Sequence, residues 1–370
     1  MFPFFLYLYD RPDSKKLLKD RKAIDAKRRK MRSVIVLAGG EAKRFQGSKG
    51  LWYDKALTKL NGTTFLEKVV ETASEVADDV VVCTNTRERG EKYKKLLESK
   101  VFKFNICVDE TGLPVKGPIV GLKTGMRCCQ GTSVLVIPVD HSFIKTEVLE
   151  LMFKFGVGWH TVTPLWPNGK IEPLIAYYDK KYAFGVIQAV CMLSKGRIGD
   201  VSRGSSKMLF VSVKEFEEVD PNLESFVNIN CPDDLKIKPT DMINGDSYGS
   251  ISIEIEKFDS DLIKLVLDEA RAANAENVFR LVSRVNHKFW KANLLKILAD
   301  KTRNPELYFK SGEEFLFESR QYMQKKIYFH ELHALIDADE MFKKAGRLSL
   351  DLRNRIDVLF RQLELNKRRR

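Results

Sequence analysis

The sequence predicts an α/β domain on a mostly parallel sheet, followed by an all-helical region, and three observations carry that reading. From Ser33 to about Lys238, short apolar runs alternate with segments of helical periodicity. Several of those runs are closed by glycine, asparagine or aspartate, as strands buried on both faces are when they turn toward a ligand. Beyond Asp259 the pattern changes, and apolar residues recur at helical intervals.

The first run, Val34-Ile35-Val36-Leu37-Ala38, ends at Gly39-Gly40. Paired glycines let the backbone turn and leave main-chain N–H groups open to an anion, although a plain structural turn reads the same way. A basic loop, 41–62, follows. Thr64-Phe65-Leu66-Glu67 has the spacing of a capping box and opens a helix over 65–77, with Leu66, Val69, Val70, Ala73 and Val76 on one face. Val80–Cys83 is the second strand, leading to Asn85, and Phe104–Val108 is the third, ending at Asp109. A loop carrying Gly112, Gly117, Pro118 and Gly121 leads into a helix near 121–130. Val134–Pro138 is the fourth strand, ending at Asp140. Further strands are expected at 160–164, 172–178 and 208–213. Pro239, Gly245 and Gly249 mark a boundary over 239–255, where Ile251, Ile253 and Ile255 alternate as one last strand. The division is therefore a basic extension at 1–30, the α/β domain at 31–240 and a helical accessory domain at 250–370. Met31 stands just before the first strand, and residues 1–30 read as an upstream extension or a start set too early.

With 370 residues, 44% hydrophobic and 31% charged, the chain has the composition of a globular protein with a real core. Its net charge of +13 suggests nucleic acid until the charge is located. Residues 1–30 hold ten Lys/Arg against four Asp, and Lys367 to Arg370 add four more cations, so the excess sits largely at the two ends. Nucleic acid is not the expected partner. The six cysteines show no metal-binding spacing and read as buried or semi-buried thiols in a reducing compartment. The apolar stretch Phe2–Tyr9 is too short to span a bilayer, so no membrane is expected and the protein is placed in the cytoplasm.

In an open α/β sheet, ligands sit beyond the carboxyl ends of the strands. Gly39, Asn85, Asp109 and Asp140 all follow strand ends, which sets polar groups on one rim. A nucleotide there needs cations for its phosphates. Arg44, Lys49 and Lys55 follow the glycine turn, with Lys55 the choice for phosphate and Lys49 its competitor. Asp140 is the best ligand for Mg²⁺, which takes one or two carboxylates plus phosphate oxygens, though a strand-end Asp also caps the next helix. Asn228 and Asn230 alternate along an expected strand, so that both approach one ligand or metal, or else hold the turn.

Leu37-Ala38-Gly39-Gly40 with Arg44-Phe45, Asp54-Lys55-Ala56-Leu57, Leu60-Asn61-Gly62, Gly117-Pro118-Ile119-Val120-Gly121-Leu122, Pro138-Val139-Asp140-His141-Ser142-Phe143, Pro173-Leu174-Ile175-Ala176 and Asn228-Ile229-Asn230-Cys231-Pro232-Asp233-Asp234-Leu235 fall in order over residues 33–236. Together they resemble the MobA-like nucleotidyltransferases, and within them the molybdenum cofactor guanylyltransferases. The resemblance implies a Rossmann-like three-layer α/β/α domain that transfers GMP from GTP to molybdopterin with Mg²⁺, releasing pyrophosphate. It implies backbone contacts to GTP from Leu37, Ala38 and Gly39, with Gly40 of the same turn at the nucleotide, phosphate contacts from Lys55, nucleotide contacts from Asn85, Asp109 and the loop Gly117 to Gly121, and Mg²⁺ on Asp140. Two departures stand out. About five extra residues, including Trp52 and Tyr53, lie between Arg44 and Lys55. The strand-end segment reads Pro-Val-Asp-His-Ser-Phe, where the family usually has Cys before the Asp.

Catalysis of this kind needs no triad. The acceptor phosphate is already anionic, so Arg44, Lys55, Asp140 with its metal and the loop N–H groups act by positioning and charge neutralisation. Related readings are transfer from CTP to molybdopterin, from GTP to adenosylcobinamide phosphate or phospholactate, or nucleotide sensing without turnover. The helical region could dimerise the chain or dock a molybdoenzyme partner. Its stripe His330, His333, Asp337 and Glu340 could hold a metal, against the blander reading of a solvated or inter-helix face.

Overall fold

A computed structural model describes residues 31–40, 54–100, 103–229, 249–255, 258–271 and 275–363. The strands are β1 Arg32–Leu37, β2 Lys59–Leu60, β3 Thr63–Thr64, β4 Asp79–Thr84, β5 Asn105–Val108, β6 Ser133–Pro138, β7 Thr161–Leu165, β8 Ala176–Asp179, β9 Lys207–Ser212 and β10 Ile251–Glu254. The helices of the α/β part are α1 Phe65–Val76, α2 Arg87–Glu98, α3 Pro118–Cys128, α4 Thr146–Phe155, α5 Lys180–Met192 and α6 Gly199–Arg203. The helical region contains α7 Ser260–Arg271, α8 Ala275–Val282, α9 Lys288–Thr302, α10 Pro305–Gln324, α11 Tyr328–Lys344 and α12 Leu350–Gln362.

Eight strands form one sheet in the order β10-β9-β7-β8-β6-β1-β4-β5, while β2 and β3 pair in a small hairpin. In the eight-stranded sheet β8 runs antiparallel to β6 and β7, β10 runs antiparallel to β9, and the remaining pairs are parallel. Strand β1 lies between β4 and β6, so the chain leaves it toward one edge and later returns to its other side. That reversal opens a crevice at the strand ends.

The central strands are buried on both faces, which explains their unbroken apolar runs. Val34 and Val36 of β1, with Val80, Val82, Leu135 and Ile137, pack against α1 and α4. Ile35, Val81, Val134 and Val136 face the other way, onto α3 and α5. Each such side chain contributes roughly 1.5–3 kcal/mol by leaving water. The expected capping box forms at α1: Thr64 Oγ1 accepts from Glu67 N at 3.2 Å, and Glu67 Oε2 accepts from Thr64 N at 2.8 Å.

The helical region is not a separate globule. Its core residues, among them Val266, Leu281, Trp290, Leu335 and Leu359, are continuous with the layer formed by α3 and α5. β10, from beyond residue 240, also completes the sheet through β9. Arg203 on α6 is fully buried at this junction, donating to Glu318 at 2.8 and 2.7 Å, to Asp200 at 2.7 Å and to Asp337 at 2.8 Å. A buried guanidinium survives only when its donors are paired in this way.

Two expectations are corrected. Cys107, in β5, and Cys128, at the end of α3, are joined by a disulfide, whereas Cys83, Cys129 and Cys191 are buried thiols. Asn228 does not lie on a strand; it follows a short 3-10 turn at Glu224–Phe226. The His330 stripe is an inter-helix face: His330 is buried with Nε2 2.7 Å from Ser202 Oγ, and burial keeps both His330 and His333 neutral, the latter pushed down to about 3. Among the described residues no helix is long and apolar enough to cross a membrane.

Candidate active site

Sheet register brings the strand-end residues together. Leu37 pairs with Pro138 on one side and Cys83 on the other, and Cys83 pairs with Cys107. Two residues further along each strand stand Gly39, Asp140, Asn85 and Asp109. Neighbouring parallel strands in register carry such positions to one level, and all four line a cleft of about 790 Å³. Backbone bonds hold the rim, from Ala38 N to Cys83 O at 2.8 Å, Asp109 N to Thr84 O at 2.8 Å and Val139 N to Leu37 O at 3.1 Å.

Gly39 lets the backbone of β1 approach its neighbours closely. A Cβ there would lie 3.2 Å from both Asn85 N and Asp109 Oδ2. The opposite wall is the first turn of α3, where Gly117, Pro118 and Gly121 line the cleft. Gly117 precedes the helix at φ 93°, a conformation other residues resist, and no side chain caps the N–H groups that follow. Pro118 brings no N–H to this first turn and Val120 N donates to Gly117 O at 3.1 Å, so the Ile119 N–H is the donor the turn can offer an anion.

Lys55 opens a 3-10 turn, Lys55–Leu57, whose cap is Asp54. Its ammonium donates to Asp140 Oδ2 at 2.7 Å and to Asn228 Oδ1 at 3.3 Å. Asn228 is held there because Ile229 N donates to Asp140 O at 3.1 Å. Burial pushes the Asp140 carboxyl up, but His141 Nδ1 at 3.1 Å and the Lys55 charge outweigh it and hold the group at about 2. Asp140 is therefore ionised throughout the neutral range. Burial holds Asp109 up at about 6, with only weak opposition from Thr124.

The cleft thus gathers Leu37, Ala38, Gly39, Gly40, Lys55, Asn85, Asp109, Gly117, Gly121, Asp140 and Asn228. Arg44, Lys49 and Asn230 lie outside the described residues. Among the described residues no three His, Cys, Asp or Glu side chains form a metal cluster. A donor set of one carboxylate and one amide, already converging on a cation, fits Mg²⁺ that takes its other ligands from phosphate and water.

Sequence reasoning missed the support beneath this site. Arg89, buried on α2, donates to Asp54 through Nη2 at 2.8 Å and Nε at 3.0 Å, to Asn85 Oδ1 at 2.9 Å and to Gly40 O at 3.4 Å. The Tyr93 hydroxyl bridges Asp54 at 3.0 Å and Ala38 O at 3.2 Å. One guanidinium thus ties the glycine turn, the Lys55 turn and Asn85. The available signal was positional: a helix starting just after Asn85 places Arg89 and Tyr93 one turn apart on the same face.

A family model described as the MobA-like NTP transferase domain matches residues 34–204. A probable molybdenum cofactor guanylyltransferase of Methanosarcina mazei is 30% identical over 210 residues, 56% of this chain and 90% of the relative. A molybdenum cofactor guanylyltransferase of Desulfosudis oleivorans is 29% identical over 205 residues, 55% of this chain and 91% of the relative. The crystal structure of molybdopterin-guanine dinucleotide biosynthesis protein A from Archaeoglobus fulgidus is 28% identical, with a TM-score of 0.45, and the match covers 55% of this chain and 95% of that one. With the relative from Methanosarcina mazei covered almost end to end, this chain belongs to the MobA-like nucleotidyltransferases.

Proposed function

We propose that the protein transfers GMP from GTP to molybdopterin in molybdenum cofactor biosynthesis, releasing pyrophosphate, and that residues 31–240 carry the reaction. The observation that supports this most directly is the convergence of Gly39, Lys55 and Asp140 on one cleft. A terminal phosphate oxygen of the pterin attacks the α-phosphorus of GTP, the bond from that phosphorus to the β-phosphate bridging oxygen breaks, and pyrophosphate departs. The attacking oxygen carries charge at neutral pH, so the obstacle is repulsion between two anions rather than a missing base.

Each part of the cleft answers that obstacle. The N–H groups around Gly39 and the Ile119 N–H at the start of α3 donate to the triphosphate. Lys55, paired with Asp140 and Asn228, is placed to turn its ammonium toward phosphate. Mg²⁺ held by Asp140, with Asn228 beside it, would supply further neutralisation of phosphate charge. Arg44 and Lys49, in the basic loop after the glycine turn, would add cations from that side. Asn85 and Asp109, side by side on the rim, address the nucleoside.

The test is a matrix of nucleoside triphosphates against acceptors, followed by pyrophosphate release. GTP with molybdopterin should be the productive pair. Turnover only with CTP, or only with adenosylcobinamide phosphate or phospholactate, would reassign the substrate within the same chemistry. Tight nucleotide binding without turnover in any combination would make the chain a sensor and overturn the enzyme reading.

A further inference from the structure

The helical region touches the cleft through a chain of contacts that begins at Asp337 on α11. Asp337 is buried, and Lys195 and Arg197 both reach its Oδ1, at 2.9 and 3.1 Å. These two cations belong to the loop between α5 and α6, and Gly196 sits between them. A Cβ on Gly196 would lie 3.2 Å from the carbonyl oxygen of Lys116. Lys116 lines the cleft and immediately precedes Gly117, which opens α3. The next loop residue, Ile198, is buried in the same core as Val115 and Val120, on either side of that turn. The loop is clasped from behind as well: a Cβ at Gly199 would lie 3.2 Å from the Phe329 ring, and Ser202 is bonded to His330.

We infer that Asp337 is a positioning residue for the nucleotide cleft: by holding Lys195 and Arg197 it seats Gly196 against Lys116 and fixes the turn that begins α3. The helical region is then a permanent brace of the phosphate-binding wall, and its contribution to nucleotide binding is made through this loop. The role in nucleotide binding rests on the reading of the cleft as a triphosphate site; the mechanical coupling does not.

The physical argument is local. The turn at Gly117 has no side-chain cap, and its own closure is the single bond from Val120 N to Gly117 O at 3.1 Å. Its N–H groups serve an anion only if their direction is fixed before binding, because ordering them afterwards costs affinity. Two ion pairs to one buried carboxylate hold the supporting loop in one place, and a glycine permits backbone contact without a side chain between.

Two variants of the full chain test this. Lys195→Met with Arg197→Met releases the loop while Asp337 keeps Arg203, and Gly196→Ala pushes on the Lys116 carbonyl. As a control, Lys288→Met with Lys291→Met breaks ion pairs to Glu314, at 2.9 Å each, elsewhere in the helical region. Hydrogen exchange over 113–121 and steady-state kinetics with GTP are read together. The loop variants should exchange about threefold to tenfold faster in that segment and raise KM for GTP by a similar factor, with kcat within about twofold of wild type, while the control changes neither. Wild-type exchange and KM in the loop variants, or an equal rise in the control, would overturn the brace. If the wild type turns over no nucleotide at all, the proposed function falls, and the exchange measurement alone still decides the coupling.

Discussion

Replacing Arg89 by methionine removes a cation with side-chain exposure of 6% from a carboxylate, Asp54, exposed by 11%. Breaking a buried ion pair from one side costs roughly 3–5 kcal/mol, because the remaining charge is stranded. Here Asp54 keeps the Tyr93 hydroxyl and Ala56 N, at 3.0 and 3.1 Å, so the lower end applies, about 3 kcal/mol. Asn85 and Gly40 lose the same donor. Urea denaturation of Arg89→Met, Asp54→Leu and the double variant measures the coupling. The double variant should be less destabilised than the two singles summed, by about 2 kcal/mol, since no unpaired charge remains. Arg89→Lys keeps the charge but cannot supply the two-pronged contact, and should retain the fold while raising KM for nucleotide. If the singles add to the double within about 0.5 kcal/mol, the pair does not hold these segments and the account of the site's support is wrong.

Asp140→Ala should abolish transfer while leaving circular dichroism unchanged; full activity would remove the carboxylate from the mechanism. In the native protein Asp140 titrates at about 2 against an ordinary 3.8, so it lends stability that is complete above about pH 4 and lost as pH falls toward 2. That contribution is worth about 2 kcal/mol, and acid denaturation of Asp140→Asn should lack this step. Asp109 shows the opposite sign: burial raises it to about 6, the native state retains a proton that the unfolded chain has released, and its contribution declines as pH rises from about 4 to 6. Asp109→Asn should remove that slope from a stability profile measured across the window. Arg203→Met strands Glu318 and should destabilise by at least about 3 kcal/mol, with partial recovery in Arg203→Met/Glu318→Met; equal loss in both would show that charge pairing is not what holds the junction.

The strand ends were legible because burial on both faces of a parallel sheet imposes a local signature. An apolar run stops where the backbone meets solvent or ligand, so Gly39, Asn85, Asp109 and Asp140 could be marked without knowing which strands are neighbours. The same logic marked the α1 cap at Thr64 and Glu67, where both partners lie within one turn. Asn228 lines the cleft but was expected on the wrong element, since alternation in a short segment does not distinguish a strand from an extended loop.

The sequence by itself determined the alternation of strands and helices, the polar rim and the change to helices beyond residue 259, because each depends on spacing within a few residues. Only the tertiary structure decided that Arg89 meets Asp54, that Cys107 pairs with Cys128, that His330 is buried against Ser202, and that Asp337 reaches the loop beside Lys116. Partners such as Arg203 and Asp337, 134 residues apart, leave no periodic trace. Their pairing is selected when the helical region packs on α5 and α6 and water is excluded, for only then does an unpaired charge become costly enough to dictate its neighbour.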